Sequence, residues 1–490
     1  MEDRKERRNQ EWRKELRLKT KGKDRTSIPR AEMPMMDPLE RVHYQDREVN
    51  TGLDLNTARQ EATRCMDCVN PECVTGCPVN IDIPSFIKNI ERGEILKAAG
   101  VLRETSALPA VCGRVCPQEK QCEAHCFYLK KLKKPAVAIG YLERFAADYE
   151  REHGVAEVPE IKKNGIKVAV VGSGPSSLSF AGSMVKKGYD VTVFEALHEI
   201  GGVLKYGIPE FRLPNDIVNS ELENLEKLGV KFEKNFLVGR TSSFEDLKEE
   251  GFKGFYVASG AGLPRFMHIP GENFNGIMSS NEYLTRVNLM NAAKDEFDTP
   301  VFKGKRVVVV GGGNTAMDSV RTSKRLGADR SMIVYRRSMN EMPARLEEVK
   351  HAQDEGIEFN TLTNPIEYFA DEKGHVSRVR VQKMELGEAD VSGRRRPVPI
   401  EGSEYDIETD MVVVAVGVSP NPLVPSVLPD LKVSKRGTIE VNEETMQSSV
   451  PELFAGGDIV RGGATVILAM GDGRRAANGM DQYLTEKYGK

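Results

Sequence analysis

The chain has 490 residues, of which 39% are hydrophobic and 29% charged, and its formal net charge at pH 7 is -3. This length predicts more than one domain, and the composition is typical of globular proteins with a sizeable core. The small net charge gives no overall attraction to nucleic acid or to an anionic membrane. Because no apolar run approaches a membrane span and the first residues carry no signal-like apolar stretch, we expect a cytoplasmic protein.

The first segment, residues 1–34, is a basic arm rich in Lys and Arg and poor in apolar residues. Such composition favours a solvated helix or a frayed arm, and an arm that docks on a partner is the alternative.

All eight cysteines lie between Cys65 and Cys126. In a reducing compartment such a group indicates a metal centre rather than disulfides. The first four are spaced CxxCxxxxCxxxCP and the last four CxxxCPxxxxxCxxxC. Paired CxxC knuckles, which zinc ribbons prefer, are missing from the second run.

A proline directly follows a cysteine in both halves of this pattern, after Cys77 and after Cys116. Ferredoxins use such a Cys-Pro step, and their last cysteine serves the other cluster. The sequence therefore predicts two interleaved 4Fe–4S clusters in an α-helical domain over residues 35–160. Zinc and structural thiols are the alternatives, and the spacing alone does not assign each cysteine to a cluster.

From Ile166 the chain reads IKVAVVGSGPSS, which predicts a buried strand, a glycine-rich turn and a helix. Gly172 permits the tight turn, and Gly174 lets the backbone approach a pyrophosphate at the helix N-terminus. The third small position is Ser177 instead of Gly or Ala. Glu195 ends the next strand, where a carboxylate accepts ribose hydroxyls and rejects a 2′-phosphate, so this site favours FAD or NAD.

A second unit of the same kind begins at Lys305 and contains the turn Gly311-Gly312-Gly313 followed by Asn314 and Thr315. Its second strand ends on Arg336 and Arg337 where the first unit has an acid. Guanidinium groups suit a 2′-phosphate, so NADP(H) is favoured over NAD(H), with two solvated strand-end charges as the alternative.

The tail ELFAGGDIVRGGATVILAMGDG matches the first unit, so we predict that the second unit is inserted into the first. The fold class is thus α/β, with two nested Rossmann-like domains of the glutathione-reductase type after the helical iron–sulfur domain. We expect FAD at residues 161–290 plus 410–490, and NADP(H) at residues 291–409. The predicted FAD-binding residues are Gly172, Gly174, Pro175, Ser177, Glu195, Gly202, Leu204, Arg212, Gly260, Gly457, Asp458 and Thr465. The predicted NADP-binding residues are Gly311, Gly313, Asn314, Thr315, Arg336 and Arg337.

No side chain stands out as a general acid or base, and none is needed, because hydride passes between the cofactors. Lys205 and Arg212 are candidates for charges near the isoalloxazine. Since no cysteine follows Cys126, a redox dithiol beside the flavin is excluded, and electrons are expected to leave through the clusters.

These stretches together resemble the NADPH-dependent glutamate synthase small (beta) subunit family over nearly the whole chain. The resemblance is carried by RCMDCVNPECVTGCPVNIDIPSFI, GRVCPQEKQCEAHC, AIGYLERF, GIPEFRLP, GGGNTAMDSVRTSKRLGA, YRRSMNEMPA and FAGGDIVRGGATVILAMGDG. The same module is similar to the N-terminal half of dihydropyrimidine dehydrogenase and to the large subunit of the bifurcating NADH-dependent ferredoxin:NADP oxidoreductase.

The resemblance implies the ligands of each cluster. The first cluster takes Cys65, Cys68, Cys73 and Cys126. The second takes Cys77, Cys116, Cys122 and, as a non-cysteine ligand, Glu143, whose position is a glutamine in dihydropyrimidine dehydrogenase. Cys112 is left over and is expected to be a buried thiol.

The chain as given lacks an N-terminal cysteine nucleophile for glutamine hydrolysis and an FMN barrel. We therefore expect an electron-input subunit that works for a larger amidotransferase–FMN chain. The alternative is the large subunit of a bifurcating oxidoreductase or sulfide dehydrogenase, which docks a small ferredoxin-reductase-like flavoprotein. A zinc-bound, non-catalytic adaptor is a distant third hypothesis. No nucleic acid or membrane partner is expected.

Overall fold

The computed structural model describes residues 4–154, 160–390 and 393–489. The basic arm forms three short helices, α1 (Arg4–Asn9), α2 (Glu11–Lys19) and α3 (Gly22–Ser27). The expectation of a solvated helix or a frayed arm is wrong in part, because the helices form but Arg13 and Arg25 are buried against the next domain. Asp67, itself fully buried, pairs with Arg13 at 2.6 Å and Arg17 at 2.5 Å. A buried carboxylate needs such partners, and the arm supplies them.

Helices dominate the next domain. They are α4 (Pro38–Arg41), α5 (Leu55–Arg64), α6 (Glu72–Thr75), α7 (Ile83–Glu91), α8 (Ile95–Arg103), α9 (Pro109–Val115) and α10 (Ile139–His153), with 3-10 turns at Gln118–Lys120 and Glu123–His125 and a π-helix at Tyr128–Leu132. Side-chain caps begin three of them, since Asp37 accepts from the backbone of α4, Asp54 from that of α5 and Asp82 from that of α7. The predicted helical domain is thus present, with six of the eight cysteines between its helices and the other two, Cys73 and Cys112, in α6 and α9.

The first nucleotide-binding unit follows with short strands and helices in alternation. Its elements are β1 (Lys167–Val171), α11 (Pro175–Lys186), β2 (Asp190–Phe194), α12 (Val203–Tyr206), α13 (Asn215–Lys227), β3 (Lys231–Glu233), α14 (Phe244–Glu249), β4 (Phe252–Val257) and β5 (Leu263–Pro264).

The second unit and the return to the first complete the chain. The second unit comprises β6 (Ile277–Ser279), α15 (Ser280–Leu284), a π-helix at Thr285–Leu289, β7 (Arg306–Val310), α16 (Asn314–Arg325), β8 (Arg330–Tyr335), a 3-10 turn at Met339–Glu341, α17 (Leu346–Asp354), β9 (Glu358–Thr361), β10 (Thr363–Ala370), β11 (Val376–Ala389), β12 (Arg395–Pro399), β13 (Tyr405–Glu408) and β14 (Met411–Val414). The return comprises β15 (Val418–Ser419), α18 (Leu423–Val427), β16 (Leu453–Ala455), α19 (Asp458–Arg461) and α20 (Val466–Tyr488).

Two parallel five-stranded sheets organise these elements, in the orders β16-β4-β1-β2-β3 and β6-β14-β7-β8-β9. A smaller antiparallel sheet, β10-β11-β12 with β13 on β11, joins the second unit. The predicted fold class is confirmed, because the second sheet is inserted between strands of the first. The predicted insertion, residues 291–409, is too short at both ends. The strand β6 lies before residue 291 and β14 lies after residue 409, yet the two strands pair in the second sheet and so belong to the inserted unit.

The helical domain and the first α/β unit share a continuous hydrophobic core. Phe86 and Leu142 of the helical domain belong to the same buried cluster as Phe180 and Met470 of the nucleotide-binding unit. The other face of the first sheet and the two faces of the second sheet have separate cores. Cysteine loops and the first nucleotide turn are therefore held in one rigid body.

Within the described residues, no helix is both long and apolar enough to cross a membrane. The cytoplasmic location stays a prediction.

Candidate functional site

One cavity of about 1390 Å³ joins the two glycine-rich turns. Its wall contains Gly172 and Gly174 from the first turn and Gly313, Asn314 and Thr315 from the second. Other predicted residues in the wall are Pro175, Glu195, Gly202, Arg212, Gly260, Gly457, Asp458 and Thr465. Two nucleotides whose reactive rings meet in the middle fit a cleft with a phosphate turn at each end.

The first turn is built for close approach of a ligand to the backbone. Gly172 has φ +92°, and a Cβ added there would lie 2.7 Å from the carbonyl oxygen of Ala258. Gly202 has φ +56°, and its added Cβ would lie 2.9 Å from Gly174 Cα. Only glycine avoids both the strain and the contact, so this part of the backbone forms a bare cradle where helix α11 begins.

Ser177 and Leu204 do not line the cavity, although they were predicted FAD contacts. Both are fully buried and pack behind the turn. Ser177 occupies the small position where α11 lies on the sheet, which accounts for its role in the motif without any ligand contact.

Glu195 stands at the end of β2, in the cavity wall. Its Oε2 accepts hydrogen bonds from the backbone N–H and the hydroxyl of Ser173, and its Oε1 accepts one from Leu197 N–H. These donors fix the carboxylate at the mouth of the first turn. The acceptance of ribose hydroxyls by this carboxylate stays a prediction.

Asp458 and Asp472 shape the far side of the cavity. Asp458 lines it, and burial raises the pKa of its carboxyl to about 6. Asp472, in α20, is fully buried, accepts from Gly457 N–H at 3.1 Å, and pairs with Arg461 and Arg475. The Gly457 turn that presents Asp458 is thus held by a carboxylate from the following helix.

At the second turn, Gly313 caps α16 and the Asn314 side chain binds a neighbouring loop. Asn314 Oδ1 accepts from Arg345 N–H at 2.8 Å. The guanidinium of Arg345, which is buried, donates to the backbone of Arg114 and to Gln118 in the iron–sulfur domain. The phosphate turn of the second unit is therefore tied to the helical domain.

Arg336 and Arg337 have different surroundings. Arg336 is exposed, and within the described residues its side chain has no hydrogen-bond or ion-pair partner. Arg337 is buried, donates to the backbone of Arg395, and pairs with Asp390 at 2.9 Å. Neither arginine lines the large cavity, so the contact with a 2′-phosphate stays a prediction, and Arg337 fixes the loop beside Arg336.

The two charges predicted near the isoalloxazine also differ. Arg212 lines the cavity, but its guanidinium is engaged by Asp318 at 2.7 Å and by Glu348 at 3.1 Å, both in the second unit. Lys205 does not line the cavity and donates to Asn219 at 2.7 Å. Arg212 therefore joins the two units at the cleft, and Lys205 serves the structure of the first unit.

The thiols of Cys65, Cys68, Cys73 and Cys126 line one small cavity of about 280 Å³. Burial, and then the neighbouring thiols of Cys65 and Cys126, raise the pKa of Cys68 to about 12. Buried thiols that oppose one another's ionisation suit a metal cluster, because iron binding supplies the missing positive charge. This set is the predicted first cluster site.

Cys77, Cys116, Cys122 and Glu143 form a second, fully enclosed set. The nearby carboxylate of Glu143 contributes to a raised pKa at each of the three thiols. Burial raises the pKa of Glu143 itself to about 8. Within the described residues, Glu143 Oε1 is buried without any hydrogen-bond partner. An orphaned buried carboxylate oxygen among three thiols fits a ligand to iron. Cys112, buried as predicted, lies beside Cys116 and donates to Met470 Sδ at 3.4 Å.

The second cluster site adjoins the large cavity. Val115, the residue before Cys116, lines that cavity, as does Ala469 at the start of α20. The next residue of α20, Met470, contacts Cys112, and a Cβ added to Gly471 would lie 3.0 Å from the carbonyl oxygen of Pro78. The cavity wall thus contains the chain neighbours of Cys116 and Met470, which places the predicted second cluster site next to the cavity.

Comparison with known proteins identifies the two halves of this arrangement. Residues 42–155 match the family described as dihydropyrimidine dehydrogenase domain II, 4Fe-4S cluster, and residues 166–473 match the pyridine nucleotide-disulphide oxidoreductase family. The glutamate synthase [NADPH] small chain of Azospirillum brasilense is 36% identical, over 93% of this chain and 95% of that one. The corresponding small chain of Escherichia coli (strain K12) is 35% identical, over 92% and 96%.

This chain belongs to the glutamate synthase small-chain family. The family confirms the predicted cofactor classes, which are FAD, NADPH and 4Fe–4S clusters, and makes the chain an iron–sulfur flavoprotein oxidoreductase. Among solved structures, FprA of Mycobacterium tuberculosis in complex with NADPH covers 66% of this chain and 85% of its own, with a TM-score of 0.56 and 21% identity. That likeness shows the nested fold.

Sequence reasoning missed three residues that build the site. Asp318 holds Arg212 in the cleft, Arg345 ties the second turn to the iron–sulfur domain, and Asp472 holds the Gly457 turn. Only Asp472 had a local signal, since it is an acid inside an otherwise small and apolar helical run. The other two act across domain boundaries, which periodicity does not show.

Proposed function

We propose that this chain is the NADPH-oxidising subunit of a larger enzyme and that it delivers electrons one at a time to a partner subunit. When bound, FAD accepts hydride from NADPH, and the clusters carry single electrons. The observation that carries the proposal is the shared cavity, which contains both phosphate turns and has Val115 of the iron–sulfur domain in its wall.

The chain's own residues are proposed to bind the two nucleotides and to fix their positions. Helix α16 directs its N-terminal N–H groups to the pyrophosphate of NADPH, and Arg336 supplies a charge for the 2′-phosphate. Glu195 and the bare cradle at Gly172, Gly174 and Gly202 hold the flavin nucleotide. Arg212, Asp318 and Glu348 fix the two units around the rings.

We further propose that Cys77, Cys116, Cys122 and Glu143 hold the inner cluster and that Cys65, Cys68, Cys73 and Cys126 hold the outer one. Burial supports this order. The three inner cysteines are buried, whereas Cys68 and Cys73 of the outer set are partly exposed. The inner set adjoins the flavin cavity, and the outer set is closer to solvent and therefore to a partner.

For the partner, we favour a large amidotransferase–FMN chain of glutamate synthase type. Relatives of this chain are named as small or beta subunits, which supports an assembly of several chains. This chain spans 95% of the Azospirillum small chain but only 60% of the beta subunit of NADP(+)-dependent formate dehydrogenase from Moorella thermoacetica. A small ferredoxin-reductase-like flavoprotein, as in bifurcating enzymes, is the second candidate.

Anaerobic titration of the purified chain tests the electron-transfer proposal. NADPH is expected to bleach the flavin and reduce the clusters, with about eight iron and about eight acid-labile sulfide atoms per chain. Stoichiometric zinc in place of iron would contradict it. Affinity purification from the native host identifies the partner: a large amidotransferase–FMN chain supports the favoured assembly, and a small flavoprotein supports the second.

A further inference from the structure

The surface above the outer cluster site has an apolar centre. Val69 and Phe127 line the cavity of the four cysteines and are 66% and 38% exposed, and Leu129, 44% exposed, follows on the adjacent π-helix. Single exposed apolar residues are ordinary on a protein surface, but these lie together at the one cluster site with partly exposed cysteines. An apolar centre over a redox group is the composition of an interface core.

Lysines surround this centre. Lys130 and Lys131 line the same cavity, and Lys133 ends the π-helix in the left-handed region with φ +54°. Lys130 pairs with Glu72 at 2.6 Å, which neutralises one charge. Lys131 and Lys133 are exposed, and within the described part of the chain no acidic side chain pairs with either.

The basic arm adds to the same rim. A Cβ added to Gly22 would lie 3.1 Å from Met66 Cε, and Met66 lines the cluster cavity. Lys21 and Lys23 on either side of Gly22 are exposed. The arm, which packs through Arg13 and Arg25, therefore leaves its lysines next to the outer cluster.

From this arrangement we propose that the surface formed by Val69, Phe127, Leu129, Lys131 and Lys133, here named the cluster rim, docks an acidic electron-transfer protein or domain. The proposal rests on the proposed function and specifies its partner. The partner's docking face has a redox centre near the surface, apolar side chains at the middle and carboxylates around them. Charge complementarity favours this occupant over a second copy of the chain. In a two-fold contact the lysines of one rim would face those of the other, which costs free energy.

Two small proteins of opposite charge test the proposal as one-electron acceptors. Rubredoxin is the acidic probe and mitochondrial cytochrome c is the basic probe, and the cofactor-loaded full chain reduces each with NADPH. The variant Lys131→Glu/Lys133→Glu reverses the rim. The control Lys227→Glu/Lys231→Glu makes the same charge change at exposed positions of α13 and β3.

The rim variant is expected to raise the KM for rubredoxin at least about fivefold, to lower that for cytochrome c, and to reduce the dependence of the rubredoxin rate on salt. The control is expected to change neither KM by more than about twofold. Stopped-flow reduction of the flavin by NADPH is expected to be the same in all three proteins. Equal rubredoxin kinetics in the rim variant and the control, or parallel changes with both acceptors, would overturn the docking surface.

The apolar centre is tested separately. Leu129→Ser is expected to lower kcat/KM for rubredoxin about fivefold, whereas Leu39→Ser, at a residue 77% exposed on α4, leaves it unchanged. Equal values for the two variants would contradict an apolar contact. Failure of NADPH to bleach the flavin of the unmodified chain would instead overturn the proposed function, so the two failures are distinguishable.

Discussion

Arg336 and Arg337 are neighbours at the end of β8, but only Arg336 is exposed and unengaged within the described residues. We expect Arg336→Ala to raise the KM for NADPH about tenfold or more with little effect on NADH, since a charge-assisted hydrogen bond to phosphate contributes about 1.5–3 kcal/mol. Steady-state kinetics with both nucleotides measures this. Arg330→Ala, on the same strand and paired with Glu358 at 2.7 Å, is the matched control and is expected to bind both nucleotides normally.

Glu143 offers a second test at a single residue. Replacement by Ala is expected to lower the iron content from about eight to about four atoms per chain, because the inner cluster loses a ligand. Glu143→Gln, which keeps an oxygen donor, is expected to retain the cluster with a shifted reduction potential, measured by EPR-monitored titration. Glu152→Ala, exposed on the same helix, is the control. Full iron content in Glu143→Ala would show that another group, such as Cys112, completes the site.

At the scale of elements, α11 and α20 pack at unusually short range. A Cβ added to Gly473 would lie 2.2 Å from the carbonyl oxygen of Ser176, in the first turn of α11, the helix proposed to hold the flavin pyrophosphate. Gly473→Ala is therefore expected to destabilise the chain by about 1–3 kcal/mol and to weaken FAD retention. Gly100→Ala, in α8 with open space around its added Cβ, is expected to stabilise by up to about 1 kcal/mol. Thermal unfolding and the flavin content after gel filtration measure both effects.

The elements also show what the sequence can and cannot predict. β1 and β7 are apolar runs before glycine turns, so pattern and turn chemistry agree and both nucleotide units were predictable. The limits of the insertion were not, because β6 has three residues and its place beside β14 depends on tertiary pairing. The packed arm was missed for a similar reason. Its arginines look solvated in sequence, and the acids that explain their burial, Asp67 for Arg13 and Glu91 for Arg25, lie far along the chain.

For the whole molecule, a buried ion network joins three parts of the chain. Glu355 at the end of α17 pairs with Arg321 and Arg325 of α16, and its carboxylate also lies 2.8 Å from the guanidinium of Arg41 in α4 of the helical domain. Glu348 pairs with Arg321 and with Arg212 of the first nucleotide unit. The second unit is thereby fixed to both neighbours, and the cleft between the phosphate turns keeps its shape.

Glu355 carries this network, so its neutralisation is expected to be costly. Glu355→Gln leaves Arg41, Arg321 and Arg325 buried without their common anion, and we expect a loss of about 3–5 kcal/mol. Glu358→Gln, which removes a pair that is about half exposed, is expected to cost less than about 1 kcal/mol. Chemical denaturation followed by circular dichroism compares the two, and equal losses would contradict a structural role for the network.

The same network predicts acid sensitivity with a definite sign. Burial opposes the ionisation of both Glu348 and Glu355. At Glu348 the charges of Arg212 and Arg321 outweigh burial and lower the pKa to about 2. At Glu355 the charges of Arg321 and Arg325 likewise lower the pKa. A carboxyl whose pKa is lower in the folded state contributes stability above its unfolded pKa and loses that contribution as the pH falls. Stability from these two acids is thus expected to be complete above about pH 4.5 and to decline toward pH 2. Asp318 acts oppositely, because burial outweighs Arg212 and raises its pKa to about 6, so it favours folding at lower pH. Unfolding temperatures measured across this range are expected to fall more steeply for the unmodified chain than for Glu355→Gln, which has lost one of the two titrating groups, and parallel curves would contradict the assignment.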